Sequence, residues 1–496
     1  MPADPTLDRL ANATLLVPFE SHHAPRWVLD GLADGIAGVC LFHNNIGGAE
    51  QVTALTRELA AAADAPLVSL DEEGGDVTRI GQSAGSDYPG NAALGAIDDT
   101  ALTRAVHRAL GAELRSLGFT LDLAPAVDVN TVDDNPTIGT RSFGSDAELV
   151  ARHAAAAVAG LQDHGVAACA KHFPGHGATH QDSHTELPVV DADPELLARR
   201  ELVPFRSAIA AGARSLLTAH ISLPAFGTRE PATLAPSIVT GLLRGELGFD
   251  GVVISDALEM EGVSNGIGVP EAAVRALVAG CDLLCLGRFV YGDEVAAVRS
   301  AIVRAVRDGR LSGERLEEAA GRTQALRRWT RDHQVRTVPT GLDGTAAGLP
   351  AADAIGLDGA RRAVRVDGIV PPLHDPLVVE FDAPPGIAVG EVPWGLSPWF
   401  PGTERVDPAS VDIATVLERA VDRDLVVVVR DAHRHAATRR LIGEICRNRP
   451  DAVVVEMGLP AWRPACQAHI STYGAARVNG QSAAELLGAA SATPVR

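Results

Sequence analysis

Eight short apolar segments alternate with amphipathic helical segments over the first two-thirds of the chain, and this alternation is the strongest constraint on its fold. The apolar segments are typical of buried strands and lie at 13–19, 38–43, 66–73, 119–129, 166–173, 215–220, 251–257 and 282–287. Strands and helices that alternate in this way form parallel βαβ units. Because eight such units close a sheet on itself, the pattern predicts an α/β fold, a (β/α)8 TIM-like barrel. An open doubly wound sheet is the alternative, but no GxGxxG fingerprint follows the first strand.

The pattern changes after Arg310. A charged helical segment is followed by a connector rich in Thr, Gly and Pro, and then by four further apolar strands separated by helices. The near-continuous apolar character of these strands predicts a mostly parallel sheet covered on both faces. We therefore expect a barrel domain, a linker and a smaller α/β/α sandwich domain, at residues 1–335, 336–362 and 363–496.

Charge and cysteine usage exclude several kinds of partner. The net charge of the chain is −20 and no basic run is present, so nucleic acid is not an expected partner. The sequence contains neither an apolar segment of about 18 residues nor a secretory pattern at its start, so we expect a soluble, cytoplasmic protein without membrane contact. The six cysteines are scattered through strand-like segments, which indicates reduced core residues rather than disulfides or a zinc knot.

The segment 171–188, KHFPGHGATHQDSHTELP, follows a buried strand and carries four histidines and one lysine. Pro174, Gly175 and Gly177 prevent it from forming a helix, so it is predicted to be a loop. Lys171 is the only lysine of the chain, among 42 arginines. Since lysine offers a compact charge with rotatable donors where arginine offers a wide planar fork, a tight polar pocket is expected at this position.

Polar side chains also follow the predicted barrel strands at the point where each strand ends. They are Asp71, Asp128, Lys171, His172, His220 and Asp256. The carboxyl ends of barrel strands meet at one face of the barrel, where active sites are built. The sequence therefore predicts one site at this face.

Asp256 and His184 are the candidate catalytic groups. Asp256 ends the strand in GVVISDALEM, a rigid support that suits a nucleophile or an electrostatic stabiliser; a helix N-cap is the alternative role. His184 follows Asp182 by two residues, so the carboxylate can reach the imidazole and favour its protonated form. This pair suits a proton donor and acceptor, although a solvated loop histidine would show the same local sequence.

Together, the motifs KHFPGHG, DSH, SDALEM, DEEGG and RSFG resemble glycoside hydrolase family 3, and within it the bacterial β-N-acetylglucosaminidases whose acid/base is a histidine. The resemblance covers residues 13–310, and the C-terminal segment resembles the second domain of two-domain members. It implies a retaining β-N-acetylglucosaminidase without cofactor or metal. The implied catalytic residues are Asp256, His184 and Asp182, and the implied substrate-binding residues are Asp71, Arg79, Arg141, Lys171 and His172.

The chain departs from the family pattern at two positions. Glu72 stands where the family usually has Gln, and Asp76 stands where it usually has Arg. A more acidic rim of the site is therefore expected, with an effect on recognition beyond the first sugar ring.

Several alternatives to hydrolysis stay open. A neutral histidine base does not repel an anion, so inorganic phosphate could replace water and make the protein a glucosaminide or glucoside phosphorylase. A metal-dependent barrel hydrolase is a further alternative, although His22 and His23 are adjacent and do not form the HxH pair common at such sites. A sugar-binding module without turnover and a β-glucosidase are also compatible. The sequence does not choose between a cell-wall fragment and a chitin-derived sugar as substrate, and it does not indicate an oligomeric state.

Overall fold

A computed structural model of the chain describes residues 5–336 and 352–489. The chain divides into two compact units. The barrel unit comprises Met1–Glu72, Thr103–Thr131 and Ser145–Leu349, and the sandwich unit comprises Glu73–Leu102, Val132–Gly144 and Pro350–Arg496. Two segments that follow predicted barrel strands, 73–102 and 132–144, thus belong to the sandwich unit.

Eight parallel strands close into a barrel within the described part of the barrel unit. Each strand pairs with the next along the chain, and the first pairs with the eighth. Their bounds are β1 Leu15–Val17, β2 Gly38–Cys40, β3 Leu67–Leu70, β4 Leu121–Asp122, β5 Ala167–Phe173, β6 Ser215–Thr218, β7 Val252–Ser255 and β8 Leu283–Cys285. The predicted (β/α)8 barrel is confirmed. Its strands are shorter than the apolar segments from which they were predicted.

Helices separate the barrel strands along the chain. Their bounds are α1 Pro5–Asn12, α2 Arg26–Ala33, α3 Ala49–Ala62, α4 Asn91–Ile97, α5 Thr100–Ser116, α6 Ala147–Gln162, α7 Pro194–Arg199, α8 Leu202–Ala210, α9 Glu261–Ser264, α10 Val269–Ala279, α11 Gly292–Arg307 and α12 Gly313–Arg336. A π-helix, Ser237–Glu246, takes the corresponding place between β6 and β7. The barrel interior is filled by aliphatic and small side chains from all eight strands or their ends, such as Leu16, Leu67, Leu121 and Ile254, with Leu326 of α12 in the same cluster.

The sandwich unit contains a six-stranded sheet in the order β11-β10-β12-β13-β14-β9. The strands are β9 Arg365–Gly368, β10 Leu377–Phe381, β11 Glu404–Val406, β12 Leu425–Val429, β13 Val453–Glu456 and β14 Ala468–Ser471. They run parallel except β9, which pairs antiparallel with β14. The helices of this segment are α13 Ala352–Ala363, α14 Ile413–Arg419, α15 Ala436–Asn448 and α16 Arg477–Leu486.

Alternate valines of the central strands face opposite sides of this sheet. Val427 and Val454 pack with α14 and α15, whereas Val426 and Val455 pack with α16. Because successive side chains of a strand point to opposite faces, a strand buried on both sides is apolar at every position. The predicted α/β/α sandwich is confirmed.

Two edge strands were not predicted from the sequence. All four residues of β9 are exposed, and β11 is only partly buried, so neither has the apolar run by which the other strands were recognised. Much of the predicted linker, 336–362, lies outside the described residues, and α13 occupies its end. The domain boundaries at 335 and 363 stay predictions.

Two further expectations concern helices and cysteines. In the described part of the chain, no helix has the length and apolar character required to cross a bilayer. All six cysteines are free, and five of them are buried, as expected for core residues.

A buried carboxylate anchors the base of β8. Asp282, which is fully buried, forms ion pairs with Arg244, with Arg315 and, at 3.5 Å, with Arg322. It also accepts the backbone N–H of Val253 at 3.0 Å. The carboxylate of Asp282 is therefore the shared counter-charge of three guanidinium groups at the start of β8.

We expect Asp282→Asn to lower the free energy of unfolding by about 3–5 kcal/mol, because it removes the acidic partner of the partly buried Arg244. Arg315 and Arg322 lose one of two acidic partners, since both also pair with Glu318. Urea unfolding at pH 7 measures the change, with Glu317→Gln as control, since Glu317 is exposed on α12. Equal stability of the two variants would contradict the assigned role of Asp282.

Candidate active site

Lys171 and Asp71 form an ion pair at the ends of β5 and β3. The Nζ of Lys171 donates to Oδ1 of Asp71 at 2.6 Å, although the two residues are 100 positions apart in the chain. The lysine side chain is 3% exposed and the aspartate side chain 24%. One buried donor and one partly exposed acceptor therefore lie side by side, an arrangement that can bind neighbouring hydroxyl groups.

Asp128 orients His172 and the start of the following loop. Its carboxylate accepts from Nδ1 of His172 at 2.8 Å and from the backbone N–H of His176 at 2.6 Å. Burial raises the pKa of Asp128, but the charge and hydrogen bond of His172, together with His176, outweigh burial and lower it overall. An ionised Asp128 thus fixes the ring of His172 through its Nδ1.

The predicted proton-transfer pair is present in the loop after β5. Oδ1 of Asp182 lies 2.6 Å from Nδ1 of His184 and also accepts the backbone N–H of His184 at 3.0 Å. Burial raises the pKa of Asp182, yet its hydrogen bonds and charge interaction with His184 lower it overall. The carboxylate therefore holds Nδ1, which leaves Nε2 as the ring nitrogen that is available for proton exchange.

Close backbone packing anchors this loop. A Cβ at Gly177 would lie 2.0 Å from the carbonyl oxygen of Val129, so only glycine fits there. Nε2 of His176 hydrogen-bonds to Oγ of Ser183 at 3.1 Å, and the carbonyl of Ser183 accepts the N–H of Gly262 at 3.3 Å. Gly177 thus allows the loop to pass close to the backbone of Val129. The loop that carries His184 also contacts the segment that follows β7.

Asp256 ends β7 among imidazole groups. Its Oδ1 accepts the N–H of Ala257 at 2.8 Å. Burial raises its pKa, but the electrostatic interactions with His220, His172 and His184 and the hydrogen bond from the Ala257 N–H outweigh burial and lower it overall. The carboxylate is therefore ionised at neutral pH, as a nucleophile must be.

His220 braces the turn that carries Asp256. Its Nε2 lies 3.0 Å from the carbonyl oxygen of Ala257 and its Nδ1 lies 2.8 Å from Oγ1 of Thr233. Burial lowers the pKa of His220. A neutral ring therefore supports the turn without adding a fixed positive charge.

Six of the eight predicted site residues belong to the barrel unit, and Arg79 and Arg141 belong to the sandwich unit. Arg141 forms a bidentate ion pair with Glu73, at 2.9 and 2.7 Å, and donates to the carbonyl of Thr137. Arg79 donates to the carbonyl of Ala388 at 3.0 Å. The sugar-binding role of these two arginines stays a prediction.

Both acidic residues that depart from the family pattern are buried: Glu72 is 1% exposed and Asp76 6%. The expected effect of their charge on the rim of the site stays a prediction. Within the sandwich unit, Asp76 accepts the N–H of Ala475 at 2.7 Å and the hydroxyl of Thr140 at 2.7 Å, and it pairs with Arg430 at 3.2 Å. The aspartate is a structural anchor of that unit.

Sequence reasoning placed Asp128 at a strand end without assigning it a partner, and it missed Glu73 and Ser183. The signal for Asp128 was its position, since the ends of adjacent strands bring side chains together. Glu73 stands in the DEEGG motif, two residues after Asp71. No local pattern distinguishes Ser183. Among the described residues, no group of three or more His, Cys, Asp or Glu side chains is arranged to hold a metal ion.

Comparison with known proteins finds relatives along this chain. The model for the glycosyl hydrolase family 3 N-terminal domain matches residues 15–326. A β-hexosaminidase A of Pseudoalteromonas piscicida is 38% identical over 270 residues, which is 50% of this chain and 45% of that protein, so the match spans less than half the length of that relative. A β-hexosaminidase of Stenotrophomonas maltophilia (strain K279a) is 40% identical over 258 residues, 51% of this chain and 76% of the relative.

Solved structures extend the similarity to the whole chain. A glycoside hydrolase family 3 β-N-acetylglucosaminidase from Paenibacillus sp. str. FPU-7 is 32% identical with a TM-score of 0.86, over 99% of this chain and 98% of that one. A β-glucoside phosphorylase, BglX, has a TM-score of 0.76 at 20% identity, over 98% of this chain and 94% of that one, and this likeness shows the fold alone.

We expect Asp128→Asn to destabilise the protein by about 2–3 kcal/mol at pH 7, through the loss of charge-assisted hydrogen bonds to a buried group. The pKa of Asp128 is lowered in the folded state, so its stabilising effect is present above the ordinary value of 3.8 and is lost as the pH falls through the folded value. The difference in melting temperature should therefore shrink as the pH falls from 7 to 3. Thermal unfolding across that range measures it.

The control is Asp308→Asn, an exposed position at the end of α11. A difference for Asp128→Asn that stays constant from pH 7 to 3 would contradict an ionised Asp128.

Proposed function

Because the chain belongs to glycosyl hydrolase family 3, we propose that it is a retaining β-N-acetylglucosaminidase that releases terminal β-linked N-acetylglucosamine. The family match confirms the resemblance stated from the motifs. The observation that carries the proposal is an ionised carboxylate, Asp256, at the end of β7, within electrostatic reach of the Asp182–His184 pair on the loop after β5. The names of the β-hexosaminidase relatives and of the Paenibacillus structure support the choice of sugar.

In the first step, Asp256 attacks the anomeric carbon of the terminal sugar. The glycosidic C–O bond breaks, and the His184 imidazolium donates its proton to the departing oxygen. The products are a free leaving group and a glycosyl ester on Asp256.

In the second step, water attacks the anomeric carbon of the ester. Neutral His184 takes a proton from the water as the bond to Asp256 breaks, which releases the sugar with its original anomeric configuration. The histidine thus returns to its protonated form, and the carboxylate to its ionised form.

Asp182 enables His184 to work in both directions. An unperturbed imidazole has a pKa of about 6.5, so it is readily protonated and deprotonated near neutral pH. The neighbouring carboxylate holds Nδ1 and keeps the ring in one tautomer, so that Nε2 is left for the proton transfers of both steps.

The Lys171–Asp71 pair and His172 are proposed to hold the terminal sugar. Asp71 accepts hydrogen bonds from hydroxyl groups, and Lys171 and His172 donate to hydroxyl oxygens, each from the end of a rigid strand. Arg79 and Arg141 are proposed for the same role on the basis of the family motifs alone.

Phosphorolysis is the second candidate function. It is favoured by the acid/base, because a neutral histidine does not repel the phosphate anion that would replace water in the second step. The product would then be a sugar 1-phosphate.

We further propose that the protein acts in the cytoplasm on short cell-wall or chitin fragments. The six free cysteines support a reducing compartment. Cell fractionation with an antibody against the protein tests the location.

Product analysis with an aryl N-acetyl-β-glucosaminide tests the reaction. We expect free N-acetylglucosamine without added phosphate, at a rate that chelator leaves unchanged. Sugar 1-phosphate that replaces free sugar as phosphate rises would establish phosphorolysis, and loss of turnover with chelator that zinc restores would establish a metalloenzyme. A lower rate on the matched aryl β-glucoside is expected if the acetamido group is recognised.

Two variants separate the nucleophile from the acid/base. Asp256→Ala should lower kcat/KM by about 10³-fold or more for every leaving group, because the glycosyl ester cannot form. His184→Ala should lower kcat/KM by about 10²- to 10⁴-fold for alkyl glycosides, but far less for 2,4-dinitrophenyl glycosides, whose leaving group needs no proton.

Asp250→Ala is the control, since Asp250 is exposed near the start of β7. Equal losses for His184→Ala with good and poor leaving groups would contradict its role as the acid.

A further inference from the structure

Phe289 is an exposed aromatic side chain at the active face of the barrel. The sequence holds 11 Phe, 3 Tyr and 5 Trp, and among those that the structure describes only Phe289 is exposed, with 60% of its surface in contact with solvent. It lies four residues after β8, at the face where barrels carry their active sites. Covering an aromatic ring is favourable in free energy, so this ring is available for a ligand.

The turn that carries Phe289 is fastened to the turn that carries Asp256. The backbone N–H of Arg288 donates to the carboxyl group of Glu259, which lies three residues after Asp256. Gly287 has a φ of +87°, and a Cβ there would lie 1.1 Å from Oε2 of Glu259, so the two turns pack closely. Because β7 and β8 are paired strands, the ring of Phe289 is held on a fixed turn next to that of the proposed nucleophile.

The side chain of Arg288 extends from the end of β8 toward the end of β2. Its guanidinium carbon lies 5.1 Å from the centre of the Phe289 ring, and its Nη2 donates to Nε2 of His43 at 2.8 Å. The imidazole nitrogen is the acceptor, since arginine has donors only. His43 follows β2 by three residues, and β1 pairs with both β2 and β8. Phe289, Arg288 and His43 therefore form one surface over the ends of these strands, the Phe289 platform.

The positive charge of Arg288 is available for an anion. Its guanidinium group forms no ion pair with a carboxylate of the described residues, and the only side chains that it contacts there by hydrogen bond or stacking are His43 and Phe289. Its Nε is buried without a hydrogen-bond partner among the same residues. A planar guanidinium matches a carboxylate through two parallel hydrogen bonds. The platform thus combines an apolar ring with a donor group suited to a carboxylate.

Exposure indicates which part of a substrate the platform contacts. The residues proposed to hold the terminal sugar are buried, with the Lys171 side chain 3% exposed and His172 6% exposed at the end of β5. The ring of Phe289 is open to solvent at the end of β8. Asp256, at the end of β7, lies between these two strands in the order of the barrel. A terminal sugar enclosed on the β5 side leaves the β8 side for the group attached to its anomeric oxygen.

We propose that the Phe289 platform binds the leaving group and selects leaving groups that carry a carboxylate. The inference rests on the function proposed above and specifies its substrate class. The ring next to the anomeric oxygen packs on Phe289, and its carboxylate binds the guanidinium group of Arg288. His43 holds that guanidinium group in place through its ring nitrogen. Acidic sugars and acidic aryl groups are leaving groups of this class.

Aryl 1-thio-N-acetyl-β-glucosaminides test the proposal, because their thioglycosidic bond resists hydrolysis and binding is measured without turnover. The 4-carboxyphenyl compound carries the charge, and the 4-carbamoylphenyl compound has a similar shape without it. We expect the parent to bind the carboxylate about three- to tenfold more tightly in isothermal titration calorimetry at pH 7. Equal affinities of the parent for the two compounds would overturn the proposal.

Two variants separate the charge from the ring. Arg288→Gln should bring the affinities for the two compounds within about twofold of each other, because it removes the charge that recognises the carboxylate. Phe289→Ala should weaken both by about two- to tenfold, whereas Phe289→Tyr, which keeps the ring, should not. The controls are Arg57→Gln and Val278→Ala, an exposed arginine on α3 and an exposed apolar side chain on α10, and both should bind as the parent does.

Free N-acetylglucosamine separates a local effect from general damage, because it has no leaving group. Arg288→Gln and Phe289→Ala should bind it as the parent does, and an equal loss of affinity for all three ligands would overturn the platform's role.

The measurements also separate this proposal from the function on which it rests. A carboxylate preference that Arg288→Gln removes, in a protein that turns over no glycoside, would support the platform and reject the proposed function. Turnover of aryl glycosides by a parent without that preference would overturn the platform and leave the proposed function standing. No affinity for either thioglycoside would overturn both.

Discussion

The buried carboxylate of Asp128 is the interaction on which the active face of the barrel depends. It binds the ring of His172 at the end of β5 and the backbone of His176 at the start of the loop that carries His184. Its charge is compensated by these donors, so a strand end and a loop are fixed by one group. The ion pair of Lys171 with Asp71 and the position of the Asp182–His184 pair both depend on this frame. Asp256 follows β7, on a turn that His220 supports with a neutral ring.

The sequence was sufficient to predict the barrel and the sandwich because most of their strands are buried on both faces. Such strands are continuous apolar runs, and the alternating valines of β12 and β13 are the clearest case. The sequence did not reveal β9 and β11, since an exposed edge strand has no apolar run. It also gave no sign that the π-helix before β7 would replace an ordinary helix, because both bury residues at similar intervals.

Prediction of the site succeeded where spacing or strand position determines contact. Asp182 and His184 are two residues apart, and Asp71 and Lys171 each follow a strand, so their pairing needed no knowledge of the loops. It failed where a contact joins distant loops. Asp76 was expected at the rim of the site, and no sequence pattern indicated that it is held by Arg430 and Ala475, some 350 to 400 positions away in the chain.

The single lysine gives the molecule an unusual chemical handle. In a chain whose other basic side chains are arginine and histidine, the ε-amine of Lys171 is the one primary amine on a side chain, and it is 3% exposed against Asp71. Acylating reagents directed at amines would therefore have one side-chain target in the whole protein, among the residues proposed to bind the sugar. The extent of Lys171 modification, measured by mass spectrometry, would report the fraction of the protein that has a ligand bound at the C-terminal ends of the barrel strands.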